Sequence, residues 1–503
     1  MRASNSLQKR SFTCRLGAVQ PLHIALLLFL FGLAIHLPFA IFDAFGEQDA
    51  ARLALKAFHG MMNGELEVGG QWPYSYPLYI HLLYLLMKHG VVATSSVPAV
   101  MAFLSLIAGA LYTTMLFLYV HRLTDNKRAA LVAALFLQTV PIFWMSSLYG
   151  FPTILALSLL MTAAWGISWA LLGRSLSTVA RGVTIIIAFG VFLLSVFIKV
   201  DAVTAAAVFC MPLWKGPASH RKRLVGCMAV LAAAAVAFFL INRYGAALSP
   251  EKTATDSWQR WSKSFFGGAA HLFAGKHLAI IHHAAGAMTP LLAAVGAIIA
   301  VAKTSYRQVA LLTLAAALPS ALFWSIIEGN SARHNLIMAA LLPILVVLPL
   351  TLENIRFSRY WLGGICFVVL LNYVWYPPSS GTVKPSGRLV ESAMLLGERT
   401  REARRTGRRI ADMTDPNIIV IAPNHTFPYY YYEILTADRL TLEHHARELL
   451  IMRNDRDQKQ VYRFPFKGKL RAMRSFQEQG YKTVWLYNKA LEKLSMQPGT
   501  GSL

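Results

Sequence analysis

Phe42 to Ala54 reads F-D-A-F-G-E-Q-D-A-A-R-L-A, with three carboxylates inside seven residues at the point where the first long apolar segment ends. The preceding stretch, Pro21 to Ile41, is apolar apart from two histidines. About 20 such residues cross the roughly 30 Å hydrocarbon core of a bilayer as one helix. Asp43, Glu47 and Asp49 therefore belong at the water line. If a helix starts near Gly46, Glu47 and Asp49 fall in its first turn, where the positive end of the helix dipole favours negative charge. Read alone, these residues are equally an acidic helix start after a membrane span, with no chemistry attached.

The whole chain agrees with a membrane setting. Its 503 residues are 56% hydrophobic and only 14% charged, a balance foreign to soluble globular domains. The net charge of +24 is largely parcelled into short loops between apolar segments, so it orients a membrane protein and calls for no nucleic acid. Cys14 lies in a basic leader, and Cys210, Cys227 and Cys366 lie inside apolar segments, which predicts no disulfide and no cysteine metal site. The apolar stretch after the leader is too long for a secretory h-region and reads as an uncleaved anchor.

Apolar stretches of spanning length fall at about 21–42, 98–120, 129–147, 151–172, 183–198, 201–214, 224–241, 284–302, 308–327, 335–352 and 360–376, roughly eleven spans. With the N-terminus cytoplasmic, every second short loop is basic: Arg122, Lys127 and Arg128, then Arg174 and Arg181, and so on to Arg356 and Arg359. The other face then receives the acidic corner, a tight turn at Leu148 to Phe151, Lys199 to Asp201, a long loop at 242–283, Glu328 to His334, and the C-terminal tail. The predicted localisation is a bacterial inner (plasma) membrane, with the tail outside the cytoplasm.

The first external loop, 43–97, is too long for a connector. Ala50 to Met62 and Tyr76 to Lys88 read as helices, separated by a turn-rich aromatic stretch ending in Y-S-Y-P. Trp258, Trp261 and Phe265 stand at helical spacing in the other long loop and read as interfacial anchors. After Pro377 the apolar runs shorten. P-N-I-I-V-I-A-P and Y-K-T-V-W-L-Y read as buried strands, and Arg439 to Met452 and Leu470 to Gln479 as helices. The organisation expected is a transmembrane domain over 1–376 and an extracytoplasmic α/β domain over 377–503.

No P-loop, Gly-rich dinucleotide turn or paired His or Cys motif is present. What remains is ionisable residues at the external ends of spans: Asp43, Glu47 and Asp49; Lys199 and Asp201 in F-I-K-V-D-A; and Glu328, Arg333 and His334 in E-G-N-S-A-R-H-N. Ionisable groups at that depth are expensive and tend to be functional or mutually paired. Lys199 and Asp201 are equally well two exposed loop charges. Arg333 beside His334 makes a plausible phosphate site, because a guanidinium fork matches phosphate oxygens.

These features together resemble the GT-C integral membrane glycosyltransferases, above all the bacterial protein-mannosyltransferase and aminoarabinose-transferase branch. They are a carboxylate just past the first span, Y-S-Y-P-L-Y before the second, a late A-R-H-N-L-I-M-A-A-L-L-P, and an α/β tail. The resemblance implies transfer of a sugar from a polyprenyl phosphate to a lipid, glycan or protein acceptor on the external face, with inversion. It matches Asp49, just before A-A-R-L-A, to the family's loop-one carboxylate, with Glu47 as the fallback. One carboxylate suffices as general base. Lys199 and Arg333, with His334, are the electrostatic choices for the donor phosphate. S-S-L-Y-G-F-P at 146–152 lacks the second acidic residue that several family members carry, so no metal and no cofactor is expected.

Two other classes compete. A transporter or lipid flippase also needs many spans, but commonly shows midplane charges and two related halves. This chain shows no internal repeat and keeps its charges near one face. For a non-catalytic scaffold the long acidic first loop would have no use.

Overall fold

Proline and small polar caps set where the helices of this computed structural model begin. It describes residues 20–374 with breaks at 47, 67–75, 149, 174–175, 217–218, 248–275, 287, 303–305, 327–331 and 353–354. Beyond them it describes 398, 401, 404–405, 418–421, 478, 482–486 and 494–496. Helix α1 (Pro21–His36) starts on a proline, whose missing N–H is no loss at that position. Helix α2 is Gln48–Asn63 and α3 is Pro77–Lys88, close to the two helices expected in the first loop. Then come α4 (Val97–Thr124), α5 (Lys127–Leu137), capped by the Asn126 side chain, and α6 (Pro141–Ser146). Helices α7 (Pro152–Leu172) and α8 (Thr178–Ile198) follow, the second capped by Ser177.

A 3-10 helix, Val200–Phe209, leads into α9 (Cys210–Lys215), and α10 is His220–Ala247. Next are α11 (Lys276–Ala285), α12 (Thr289–Ala302) and α13 (Arg307–Ile326). A 3-10 turn, Ala332–Asn335, opens α14 (Leu336–Val347), and α15 is Ile355–Val374. Strands β1 (Ile418–Ile421), β2 (Lys482–Leu486) and β3 (Leu494–Met496) close the series.

Among the described residues seven helices are long and apolar enough to cross a membrane, and two shorter apolar ones are Thr289–Ala302 and Arg307–Leu322. Leu22 and Leu27 on α1, Ile186 and Ile187 on α8, Leu231 and Phe239 on α10 and Leu370 on α15 are all exposed. Outward faces of that kind suit lipid, where the chain's only obligation is to satisfy its backbone internally. The chain is a polytopic α-helical membrane protein.

Two expected spans are corrected. The stretch 129–147 is not one helix but α5 and α6, parted at Gln138–Val140 ahead of Pro141, whose ring excludes a continuous turn. The stretch 201–214 is mostly 3-10 helix, and the predicted loop at 242–283 is helical at both ends, through Ala247 and from Lys276. Trp258, Trp261 and Phe265 lie outside the described residues.

The chain divides into two compact units. One comprises Met1–Ala40, Gln71–Tyr79 and Phe103–Ala393. At its centre every residue of α14 is buried, as a helix apolar all round must be. It packs against α5, α12 and α13. A Cβ on Gly296 of α12 would meet the Leu345 carbonyl at 2.4 Å, so only glycine permits that approach. Tyr112 Oη donates to the Ala340 carbonyl (3.0 Å) in the turn disturbed by Pro343. Helices α7 and α8 form the most extensive pair, pinned by Ser195 Oγ donating to the Ala156 carbonyl at 2.7 Å.

The other unit comprises Ile41–Gly70, Ile80–Ala102 and Met394–Leu503. Tyr84 Oη and Lys88 Nζ at the end of α3 both donate to the Gly64 carbonyl beyond α2. The tail strands form a sheet in the order β1-β2-β3, β1 parallel to β2 and β2 antiparallel to β3. Both predicted strand segments fall on β1 and β2. The helices expected at 439–452 and 470–479 lie outside the described residues apart from Glu478.

Candidate functional site

Helix α8 ends at Ile198, and the next residue, Lys199, is extended (φ −150°, ψ 118°) before the 3-10 helix starts at Val200. That single extended residue points the Lys199 side chain back into the protein, where it is 4% exposed, and brings Asp201, 12% exposed, to 2.9 Å from its ammonium. Of the two readings open for this pair, that of exposed loop charges is excluded. Lys199 Nζ also donates to Tyr76 Oη at 2.9 Å and lies 4.4 Å from the centre of that ring. Burial works against the Lys199 charge, but the Asp201 carboxylate and then the Tyr76 hydroxyl outweigh it and hold the ammonium above its usual range. It stays charged at neutral pH.

Tyr76 precedes Pro77, and the clash with a following proline ring keeps a residue out of helix, so α3 begins one residue later. Its ring meets Phe151 edge to face at 5.3 Å. Phe151 is likewise extended and stands just before Pro152, after a turn in which Gly150 adopts φ +68°, a conformation open to glycine. Tyr79 Oη reaches the Gly150 carbonyl at 3.5 Å, and Ser105 Oγ the Phe151 carbonyl at 3.4 Å.

Arg333 also approaches Phe151, its guanidinium carbon 5.9 Å from the centre of that ring. Arg333 and His334 occupy the 3-10 turn that opens α14, and α11 packs against that turn. The charges of both Arg333 and Lys199 bear on His334. Lys199 and Arg333, 134 positions apart in sequence, are thus brought to the contacting rings of Tyr76 and Phe151, close enough that both charges act on His334. Two cations, Lys199 and Arg333, at two span ends can bind an anion whose tail stays in hydrocarbon.

The acidic half of the prediction belongs to the other unit. Asp49 is the second residue of α2, in its first turn as expected, while Glu47 lies outside the described residues. Asp43 accepts from Arg401 Nε at 3.3 Å through its carboxylate, and its carbonyl accepts from Arg404 Nη1 at 2.8 Å. Asp43 is thus held by the stretch after 394. Among the described residues no group of three or more His, Cys, Asp or Glu is placed to hold a metal ion.

Sequence reading missed Tyr76 and Phe151 as parts of the site. Each stands immediately before a proline, at a junction where the chain must turn extended, and that was the available signal.

The site is therefore a partly buried cationic cluster at the span ends of a polytopic membrane protein. No protein-family model and no curated protein matches the chain. Among solved structures it is similar to ArnT from Cupriavidus metallidurans bound to undecaprenyl phosphate, at 14% identity and a TM-score of 0.49 over 92% of each chain. It is also similar to the Archaeoglobus fulgidus oligosaccharyltransferase in complex with zinc and sulfate, at 12% identity and a TM-score of 0.48, over 81% of this chain and 61% of that one. A third, AglB from Archaeoglobus fulgidus with an inhibitory peptide and a dolichol phosphate, shares 12% identity at a TM-score of 0.42. Likeness at these values assigns no residue, substrate or partner to this chain.

Proposed function

We propose that this protein is a membrane glycosyltransferase that moves a sugar from a polyprenyl-phosphate carrier to a lipid, glycan or protein acceptor on the extracytoplasmic face, with inversion. The observation that carries this is the meeting of Lys199 and Arg333, beside His334, at the contacting rings of Tyr76 and Phe151. A lipid phosphate demands a cationic pocket at the membrane surface, with apolar helices alongside for its tail. Charge counting in the loops assigns the end of α8 and the start of α14 to the same face, which accords with their meeting in the cluster. On this reading the N-terminus is cytoplasmic, the membrane is the bacterial inner membrane, and residues 377–503 form an external domain.

In the reaction the acceptor hydroxyl attacks the anomeric carbon, and Asp49, or Glu47 in its place, takes the hydroxyl proton. The anomeric carbon to phosphate oxygen bond breaks on the opposite side, its electron pair leaving with the lipid phosphate. Lys199 and Arg333 stabilise the charge that grows there, which is where preorganised cations contribute most. No proton donor to the leaving group is needed.

The test is consumption of polyprenyl-phosphate sugars by the purified protein in detergent, with candidate acceptors supplied. Release of polyprenyl phosphate that depends on acceptor is expected. Passage of an intact lipid across reconstituted vesicles, with no transfer under any acceptor, would overturn the proposal in favour of a flippase.

A further inference from the structure

We infer that Asp201 is a positioning residue that makes the phosphate site discriminate by charge, weakening its hold on the spent carrier relative to the loaded one. This rests on the donor-phosphate reading of the cluster. Lys199 is not a bare cation: Asp201 stands 2.9 Å from its ammonium, both nearly buried, and Tyr76 fixes it from another side. A phosphate oxygen hydrogen-bonded to the same nitrogen, at about 2.9 Å, can lie no farther than about 6 Å from the Asp201 oxygen. Any anion seated on Lys199 therefore meets a carboxylate across it.

The two lipids of the reaction differ in the quantity this carboxylate senses. The loaded carrier is a phosphodiester with one negative charge. The spent carrier is a monoester whose second proton leaves near pH 6, so at pH 8 it carries two. Lys199 and Arg333 attract both lipids, and the added charge strengthens that attraction. Asp201 subtracts from it, and subtracts more from the dianion. A site of cations alone would hold its product more tightly than its substrate and stall, whereas Asp201 offsets that gain where the leaving phosphate rests.

The experiment compares binding of undecaprenyl phosphate and of its methyl ester, a fixed monoanion, to the full-length protein in detergent at pH 8. Relative to wild type, Asp201→Asn is expected to gain about tenfold more affinity for undecaprenyl phosphate than for the ester, the order of one extra unit charge at that distance in a partly hydrated site. Asp201→Glu, which keeps the charge, should discriminate as wild type does. Equal gains for both lipids, or no gain, overturn the inference while leaving the phosphate site standing. If neither lipid binds wild type, the inference and the reading beneath it both fall.

Should Asp201→Asn be unstable alone, the thermal midpoint still reports. The margin by which undecaprenyl phosphate raises the midpoint above the ester should be larger in the variant than in wild type, since a ligand stabilises in step with its binding. The same margin in variant and wild type would again overturn the inference.

Discussion

Lys199 and Asp201, two residues apart, form a buried ion pair at 2.9 Å because the backbone is extended at Lys199. On a continuous helix residues two apart point away from each other. Removing one member of a buried pair strands the other charge. Lys199→Met is expected to lower stability by about 3 to 5 kcal/mol, and Lys199→Met with Asp201→Asn to recover most of it. Thermal unfolding in detergent reads both, and a double variant no better than the single would show that the pair is not the source.

The same pair sets a pH window. The folded-state pKa of Lys199 lies above its unfolded value, so its contribution is fully present below the ordinary lysine pKa of about 10.4 and is lost only as pH rises through the folded value. The difference in thermal midpoint between wild type and the double variant should thus be constant from pH 6 to 9. A difference that shrinks across that range would contradict the raised pKa.

Arg333 is expected to matter more to turnover than to folding. Arg333→Ala should reduce the rate by roughly 10²-fold or more, as loss of a charge stabiliser does. Arg333→Lys should restore only part of it, a point charge replacing a planar fork. Undiminished turnover in a well-expressed Arg333→Ala protein would return this residue to the ordinary loop charges.

Asp49→Asn keeps the shape of the side chain but removes the proton acceptor. Turnover should fall by the roughly 10² to 10⁴-fold typical of a general base, with donor-lipid binding preserved. Glu47→Gln, as the neighbouring control, should lose well under tenfold. If the two variants behave alike, or Asp49→Asn binds no donor, the single-base mechanism is wrong at this position.

Orientation is open to chemical labelling. A cysteine placed at His425 should react with a membrane-impermeant reagent from the extracytoplasmic side only. Reactivity confined to the cytoplasmic side would remove the odd span count on which the placement of the tail depends.

The membrane class, the helices of the first loop and both strand segments of the tail were legible in the sequence because each is a local property. Hydropathy over some 20 residues decides whether a helix spans, and Pro77 and Pro152 mark helix starts wherever they fall. The residues worth inspecting, Lys199, Arg333 and His334, were also legible, since an ionisable side chain at a span end is conspicuous against apolar neighbours. Their neighbours were not. That Lys199 turns inward to Asp201 and Tyr76, and that Tyr76 and Arg333 both approach the Phe151 ring, depends on packing between segments distant in the chain. The breaks at Gln138–Val140 and at Lys199 were hidden for a related reason: hydropathy measures transfer into lipid and is blind to backbone conformation. Sequence alone determined which charges stand at the ends of apolar segments, while only the tertiary structure decided which of them meet, because burial of a charge depends on the partner that long-range packing brings to it.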